Sequence, residues 1–265
     1  MRSLLPPRPG DVDLLDAYAL PTTPPPGRPF VRMNMISSLD GAIAVGGRSG
    51  ALGGPADHRV FHTLRALTDV VLVGAGTMRT EGYGPVRLTD AQQAQRRARG
   101  QPPVPPIAVV TRSGHLDWSA PFFTQAQARP LVLTTADAHD HALAQAPRVA
   151  DVIVCGDTQV DLGVALQQLA ARGAHSVLAE GGPALNAQLV AAGLLDELCL
   201  TLSPQLVAGT GPRILAGAEL TQTLAVEIMH ILEQDGFLFL RLHTTIPPRP
   251  NQPRSDQPGA QVRTP

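Results

Sequence analysis

Short apolar runs alternate with helical segments along most of the chain. Nine runs rich in aliphatic and β-branched residues predict strands, at residues 30–37, 69–73, 106–111, 130–134, 151–155, 176–179, 197–203, 224–232 and 237–243. Segments with helical composition and spacing predict helices, at residues 56–67, 89–99, 138–145, 162–172 and 183–192. This alternation is typical of an α/β fold whose parallel strands are joined by crossover helices. The last three runs have no helix between them, which predicts that the sheet ends in antiparallel strands.

The two flanks differ in composition from the central region. Residues 1–28 form a proline-rich N-terminal arm, in which the apolar positions of segment 12–18 are spaced for one helical turn that packs on the body. Residues 29–245 are expected to form the folded domain. Residues 246–265 are polar and proline-rich, which predicts a disordered tail. Inside the domain, segment 89–99 has helix formers but no apolar face, so it is expected to be an exposed insertion.

The composition is that of one mid-sized domain, with 265 residues, 43% of them hydrophobic, 16% charged, and a formal net charge of −1. The apolar runs stay short of the roughly 18 residues that a membrane-spanning helix requires, and the N-terminus lacks the apolar core of a signal peptide. A near-neutral charge without a basic stripe argues against nucleic acid as a partner. We therefore expect a soluble cytoplasmic protein, in which Cys155 and Cys199 are buried thiols rather than a disulfide or zinc site.

The absence of lysine restricts the available chemistry. All 21 basic residues are arginine, which excludes a Schiff-base lysine, a Ser–Lys dyad and the lysine of a Walker A motif. Any phosphate group must be held by arginine, hydroxyl groups, backbone N–H groups or helix N-termini. His58 and His62 have the spacing of a helical zinc pair, but no glutamate stands between them to act as a base. We interpret them as a surface or partly buried pair, and no metal site is predicted.

The most informative segment joins the predicted strand 176–179 to the helix that follows it. Glu180, Gly181 and Gly182 stand at the junction, and Pro183 opens the helix at a position where its missing N–H has no cost. Free backbone N–H groups beside two glycines favour a phosphate cradle, although an ordinary Gly-Gly turn is the alternative. A carboxylate directly before such a cradle indicates a second ligand group besides the phosphate.

Two further strand ends carry weaker signals. Asp40 and Gly41 follow the strand 30–37, where Asp-Gly is also a common turn. The strand 69–73 leads into G-A-G-T at residues 74–77, which lacks the third glycine and the later acidic residue of the dinucleotide fingerprint. Taken alone, neither segment identifies a function.

Together, these segments resemble the C-terminal reductase domain of riboflavin biosynthesis proteins, whose fold is that of dihydrofolate reductase. The family pattern contains S-x-D-G after a strand, an L-R segment that leads to V-G-x-x-T, E-G-G-x-x-L, and G-L-hydrophobic-D-E. These motifs stand here in the family's order at residues 38–41, 64–77, 180–185 and 193–197, and the resemblance covers about residues 28–243. It implies a dihydrofolate reductase-like three-layer α/β/α fold, with a mixed, mostly parallel central sheet and antiparallel C-terminal strands.

The resemblance also implies roles for particular residues. Those expected to bind NADPH are Thr77, Glu81, Thr111, Arg112, Ser113, Gly181, Gly182, Pro183, Ala184, Leu185 and Asn186. Those expected to bind the substrate are Ser49, Arg65, Arg87 and Glu180. Asp40 and Glu180 are the expected catalytic residues, and the proton donor is open between Asp40, Glu180 and an ordered water. Arg112 and Ser113 are expected to hold the 2′-phosphate that distinguishes NADPH from NADH, with a solvated turn as the alternative.

The implied function is an NADPH-dependent reduction in riboflavin biosynthesis. The expected substrate is 5-amino-6-(5-phosphoribosylamino)uracil or its non-deaminated pyrimidine relative, which receives a hydride at ribose C1 and becomes a ribityl compound. Segments 50–54 and 78–85 depart from the family pattern and leave the exact substrate open, and the sequence lacks the zinc-deaminase motifs of bifunctional relatives. Dihydrofolate reductase activity on the same fold and a non-catalytic NADP-binding protein are the alternatives. The apolar late strands, with the resemblance, predict a homodimer.

Overall fold

One mixed β-sheet organises the molecule, which a computed structural model describes over residues 1–146 and 149–244. The strands are β1 (Arg2–Leu5), β2 (Pro7–Arg8), β3 (Phe30–Ser38), β4 (Val70–Gly74), β5 (Ile107–Val110), β6 (Leu131–Thr134), β7 (Asp151–Val154), β8 (Ser176–Ala179), β9 (Glu197–Ser203), β10 (Val226–Gln234) and β11 (Phe237–Thr244). The helices are α1 (Leu14–Ala17), α2 (Pro55–Leu67), α3 (Ala75–Glu81), α4 (Asp90–Ala98), α5 (Pro121–Thr124), α6 (Ala136–Gln145), α7 (Leu162–Ala170) and α8 (Pro183–Ala191).

The strands of this sheet follow the order β2-β1-β10-β11-β9-β3-β8-β4-β5-β6-β7. Every neighbouring pair from β9 to β7 is parallel. Every neighbouring pair from β2 to β9 is antiparallel. The predicted sheet, mostly parallel with antiparallel C-terminal strands, is therefore confirmed.

Helices cover both faces of the sheet because its central strands are apolar on both sides. On β4, Val70 and Leu72 pack in the core that contains α7 and α8. Val71 and Val73 pack in the opposite core, with α3 and α5. Successive strand residues point to opposite faces, so a continuous apolar run needs two covering layers. Because α2 covers the remaining part of the second face, the predicted three-layer arrangement is confirmed.

The predicted strands and helices are all present, and their ends differ from the prediction by two residues at most. The N-terminal arm adds β1 and β2, which the sequence did not predict. These short, proline-interrupted strands carry no strand signal, and they form because β1 pairs with β10 at the antiparallel edge. Helix α1 is the expected turn in the arm. The tail predicted at residues 246–265 lies outside the described residues.

Segment 89–99 is largely exposed, as its polar pattern predicts, with one exception. It forms α4, and the side chain of Arg96 is fully buried. The guanidinium donates to the carbonyl oxygens of Ala66, at 3.1 Å, and of Thr68. These carbonyl groups lie at the C-terminal end of α2, where a helix leaves acceptors without partners and favours a cation. Arg96 therefore fixes α4 to the end of α2, beside the turn that carries Arg65.

Cys155 and Cys199 are buried free thiols, as predicted. Burial raises the pKa of Cys155 to about 11, so this thiol stays neutral and unreactive near neutral pH. None of the helices in the described part of the chain has the length and apolar character that crossing a membrane requires.

Candidate active site

The candidate site follows the edge of the sheet at which the parallel strands end. A first cleft of about 340 Å³ lies between α2, β3 and the segment after β8. A second, of about 380 Å³, lies between the β4–α3 and β8–α8 junctions. A third, of about 520 Å³, is formed by the segments that follow β5, β6 and β7. With neighbouring strands about 4.8 Å apart, the row from β8 to β7 spans roughly 19 Å, which suits an elongated ligand at the strand ends where α/β sheets bind nucleotides.

The two glycine-rich junctions meet between the first and second clefts. The N–H of Gly74, at the end of β4, donates to the carbonyl oxygen of Gly181 at 2.8 Å. A Cβ atom at Gly182 would lie 2.2 Å from Oγ1 of Thr77, so only glycine fits this close approach without movement. The second cleft is lined on this side by Gly182, Pro183, Ala184 and Leu185. Because the first N–H groups of α8 have no partners within the helix, the junction is suited to bind an anion.

A buried ion pair forms the inner wall of the first cleft. Nε and Nη2 of Arg65, on α2, donate to the two carboxylate oxygens of Glu180, after β8, at 2.7 and 2.6 Å. Arg65 and Glu180 are 8% and 7% exposed. Burial alone would lower the pKa of Arg65, but the charge and hydrogen bonds of Glu180 raise it above its usual value. These two residues, which the resemblance assigns to substrate binding, therefore form one unit.

Tyr83 and Phe61 enclose this ion pair. The hydroxyl of Tyr83 donates to Oε2 of Glu180 at 3.0 Å. The guanidinium carbon of Arg65 lies 4.1 Å from the ring centroid of Phe61 and 5.7 Å from that of Tyr83, within the range of cation–π attraction. Burial, followed by the charge of Glu180, raises the pKa of Tyr83 well above its usual range, so the phenol keeps its proton. Tyr83 belongs to segment 78–85, which departs from the family pattern. This departure therefore gives Glu180 an additional hydrogen-bond donor.

Ser49 and Glu81 lie where the first and second clefts meet. The N–H of Ser49 donates to Oε1 of Glu81 at 3.0 Å. Glu81 and Thr77 line both clefts, and Ser49 lines the first. The structure thus brings these three predicted site residues together with the ion pair and the glycine junctions.

Arg112 and Ser113 line the third cleft, directly after β5. The hydroxyl of Thr135, after β6, donates to the carbonyl oxygen of Arg112 at 3.1 Å and fixes the backbone there. Thr111 is buried, and its hydroxyl accepts the N–H of Gly114 at 3.2 Å. Thr111 therefore supports the turn, whereas Arg112 and Ser113 present a cation and a hydroxyl to the cleft.

Asp40, a predicted catalytic residue, does not line the first cleft. Its carboxylate accepts the hydroxyl of Ser38 and the N–H groups of Val207, at 3.2 Å, and Ala208, at 2.7 Å. These hydrogen bonds, that of Ser38 foremost, lower the pKa of Asp40. The geometry favours an anchor for the loop after β9 over a role in the reaction.

Two other predicted site residues also lie apart from the clefts. Arg87 is exposed, and its Nη2 lies 3.4 Å from the side-chain oxygen of Gln125. Asn186 is fully buried, and its Nδ2 donates to the carbonyl oxygen of Ile214 at 3.0 Å. Asn186 therefore holds α8 against the segment before β10. This contact helps to position the glycine junction, which lies directly before α8.

Several groups that line the first cleft were not predicted as site residues from the sequence, namely Asn34, Asp57, His58, Phe61 and Tyr83. Asp57, His58 and Phe61 precede Arg65 on α2 at spacings that place them near its face of the helix, which is the signal that would have found them. Tyr83 had no such signal because it reaches Glu180 from a loop. Among the described residues, no group of three or more His, Cys, Asp or Glu side chains is placed to hold a metal ion.

A family model and individual relatives place the chain in the same group of proteins. The model of the family described as the RibD C-terminal domain matches residues 29–236. A 2,5-diamino-6-ribosylamino-4(3H)-pyrimidinone 5′-phosphate reductase from Methanothermobacter thermautotrophicus is 30% identical over 72% of this chain and 85% of its own. A reductase of the same name from Aquifex aeolicus is 31% identical over 72% of this chain and 84% of its own.

Solved structures resemble the fold over most of its length. A pyrimidine reductase-like protein from Corynebacterium diphtheriae is 28% identical, with a TM-score of 0.76 over 88% of this chain and 99% of its own. A riboflavin biosynthesis reductase from Saccharomyces cerevisiae is 19% identical, with a TM-score of 0.66 over 88% of this chain and 98% of its own. The expected dihydrofolate reductase-like fold class is confirmed.

Proposed function

The chain belongs to the RibD C-terminal domain family, and on that premise we propose that it is a nicotinamide-dependent reductase of riboflavin biosynthesis. Its substrate is a 5′-phosphorylated ribosylamino-pyrimidine of the kind named for its relatives, 2,5-diamino-6-ribosylamino-4(3H)-pyrimidinone 5′-phosphate. The observation that supports this best is the continuity of the clefts, in which the glycine cradle of the second opens onto the buried Arg65–Glu180 pair of the first.

The residues of the second and third clefts suit a nicotinamide dinucleotide. The contact between Gly182 and Thr77 leaves space only for backbone at the cradle, and the start of α8 offers N–H groups to a pyrophosphate. Arg112 and Ser113 support the choice of NADPH, because a guanidinium and a hydroxyl suit a 2′-phosphate. When bound, the reduced cofactor supplies a hydride.

The protein positions the substrate in the first cleft. Glu180 already accepts three hydrogen bonds from Arg65 and Tyr83, so it acts chiefly by holding Arg65 in place. Although Glu180 compensates its charge, the fixed Arg65 presents guanidinium N–H donors at the inner wall, which suit a phosphate or a pyrimidine carbonyl group. Ser49 and Glu81 close the boundary with the cofactor cleft.

An NADPH-oxidation assay tests the function directly. The diaminopyrimidinone ribosyl phosphate, its deaminated uracil counterpart and dihydrofolate are compared at equal concentrations, with product identified by mass. We expect turnover with a ribosylamino-pyrimidine and a ribityl product. Turnover with dihydrofolate alone would assign the chain to that reaction, and cofactor binding without turnover would support a non-catalytic nucleotide-binding protein.

The proposed reductase is a homodimer. Val226, Ile228 and Met229 on β10 are 46%, 47% and 41% exposed, and Leu4 and Leu5 on the neighbouring β1 are 42% and 41% exposed. Exposed apolar side chains of this kind in the antiparallel part of a sheet favour burial against a partner. A second copy related by a two-fold axis would bury the same side chains from both subunits.

A further inference from the structure

Asp57 brings a carboxyl group to the first cleft from the first turn of α2. The buried Thr201, on β9, lies close enough for its hydroxyl to lower the pKa of this carboxyl group. A Cβ atom at Gly53 would lie 3.0 Å from Oδ2 of Asp57, so glycine at that position keeps the space beside this oxygen open. Asp57 therefore lies beside the sheet and remains accessible from the cleft.

The other carboxylates in the lining of this cleft are already engaged. Glu180 accepts two hydrogen bonds from Arg65 and one from Tyr83. Glu81 accepts the N–H of Ser49. Among the described residues that line the cleft, Asp57 and Glu81 are thus the carboxyl groups without a cationic partner in hydrogen-bond contact, and Glu81 is bound to a backbone N–H at the boundary with the second cleft.

The proposed reaction requires one proton for each hydride. Reduction at C1 of a ribosylamine breaks the bond between C1 and the ring oxygen, and that oxygen must leave as a hydroxyl group. Arg65 cannot supply this proton because guanidinium does not deprotonate in proteins. The hydroxyl of Tyr83 is directed at Glu180 and keeps its proton.

We propose, on the basis of the proposed function, that Asp57 is the catalytic residue that protonates the ring oxygen of the substrate sugar. The carboxyl proton moves to that oxygen as the C1–oxygen bond breaks, and the lone pair of the exocyclic nitrogen forms a C1=N iminium group. The hydride from the reduced nicotinamide cofactor enters C1, and the π electron pair returns to nitrogen. The Asp57 carboxylate then takes a proton from water, so one proton and one hydride are consumed for each ribityl product.

The electrostatic surroundings of Asp57 support its role as an acid. Burial raises the pKa of Asp57, while the hydrogen bond from Thr201 and the charge of the adjacent His58 oppose that shift without reversing it. Across the cleft the charged groups are Arg65, Glu81 and Glu180. A raised pKa keeps more of the carboxyl group protonated near neutral pH, which is what general acid catalysis requires.

Substitution of Asp57 tests the proposal. We expect Asp57→Asn to lower kcat by about 10² to 10⁴, the usual contribution of a positioned acid, with little change in KM or in NADPH affinity. Asp57→Glu should retain part of the rate that Asp57→Asn loses, because glutamic acid still carries a carboxyl proton. Asp140→Asn is the matched control, since that carboxyl group is exposed in α6, and it leaves the rate unchanged. The wild-type rate falls as pH rises through the raised pKa, and Asp57→Asn loses this dependence.

Infrared difference spectroscopy supplies a measurement that does not need turnover. The carbonyl stretch of a protonated carboxyl group, assigned by its loss in Asp57→Asn, should persist to higher pH than that of an exposed aspartic acid, whose pKa is about 3.9. Titration of this band at the ordinary position, an unchanged kcat in folded Asp57→Asn, or a rise in KM alone would each overturn the proposal. Inactive wild-type protein would instead overturn the proposed function and this inference with it.

Discussion

Arg65 donates through Nε and Nη2 to both carboxylate oxygens of Glu180, although 115 positions separate the two residues in the chain. The pair joins α2 to the end of β8 and closes the inner wall of the first cleft. A bidentate guanidinium–carboxylate contact fixes both planes as well as the distance. The position of Arg65 in this wall therefore depends on Glu180, so stability and activity are expected to be coupled at this site.

The first prediction concerns this pair. Glu180→Gln removes the charge that compensates buried Arg65, and breaking a buried pair in this way costs about 3–5 kcal/mol of unfolding free energy. Turnover should fall roughly tenfold or more, because a mispaired group in a desolvated site costs about 1–3 kcal/mol. Urea denaturation and steady-state kinetics measure the two effects.

The matched control for Glu180 is the exposed Arg129–Asp151 pair, whose side chains are 46% and 55% exposed. Asp151→Asn should change stability by less than about 1 kcal/mol. Equal losses in the two variants would show that the buried pair has no special role.

The second prediction concerns the glycine cradle. Gly182→Val places a branched side chain where even a Cβ atom would lie 2.2 Å from Oγ1 of Thr77. We expect NADPH affinity to fall beyond any loss of stability, because the backbone can no longer approach the pyrophosphate. Fluorescence titration with NADPH measures this, and unchanged affinity in a folded variant contradicts the cradle. Gly50→Ala is the control, since a Cβ atom there meets nothing within 4 Å.

The third prediction concerns the choice of cofactor. Arg112→Ala should weaken NADPH binding by roughly 1.5–3 kcal/mol, the typical contribution of a hydrogen bond to a charged group, and leave NADH binding nearly unchanged. Isothermal titration with both cofactors separates the two effects. Arg97→Ala, on the exposed face of α4, is the control. Equal losses of affinity for NADPH and NADH in Arg112→Ala would show that Arg112 has a structural role.

The fourth prediction concerns acid stability. Glu197 is fully buried at the start of β9, with Nε of Arg241 at 2.8 Å, Nε2 of His243 at 3.0 Å and a contact to Arg32. Burial alone would raise the pKa of Glu197, but the hydrogen bond from His243 and the charges of Arg32 and Arg241 hold it at about 2.

The direction in which stability changes with pH follows from the lowered pKa of Glu197. The stabilisation that the charged Glu197 provides is complete above the pKa of a glutamate in the unfolded chain, about 4.3, and is lost as pH falls through about 2. Its size is on the order of 3 kcal/mol. Glu197→Gln should remove this part of the acid dependence, whereas the exposed Glu219→Gln should not. Thermal unfolding between pH 2 and pH 7 is the measurement, and parallel profiles for wild type and Glu197→Gln would refute it.

The fifth prediction concerns assembly. Ile228→Arg places a charge among the exposed apolar side chains of β10 and should convert the proposed dimer to a monomer at micromolar concentration. Light scattering coupled to size exclusion gives the mass. Leu206→Arg is the control, because Leu206 is 78% exposed in the loop after β9. A monomeric wild-type protein would remove the basis for this proposal.

The sequence by itself determined the elements of the fold and the glycine cradle. Strands such as β8 and β9 have local apolar patterns that end at turn residues, and their predicted bounds match the structure. The order of Glu180, two glycines and Pro183 specified a strand, a close turn and a helix start without tertiary information. Family membership followed from the same local motifs, since their order and spacing are properties of the chain.

Only the tertiary structure decided which of the candidate side chains act together. Glu180 pairs with Arg65 and Tyr83, Asp40 accepts hydrogen bonds from the loop after β9, and Asp57 lines the first cleft beside Thr201. The strands of the N-terminal arm also depend on pairing with β10. These contacts join residues far apart in sequence, and local patterns cannot specify them because they arise from the order of strands in the sheet and from the need of buried polar groups for partners.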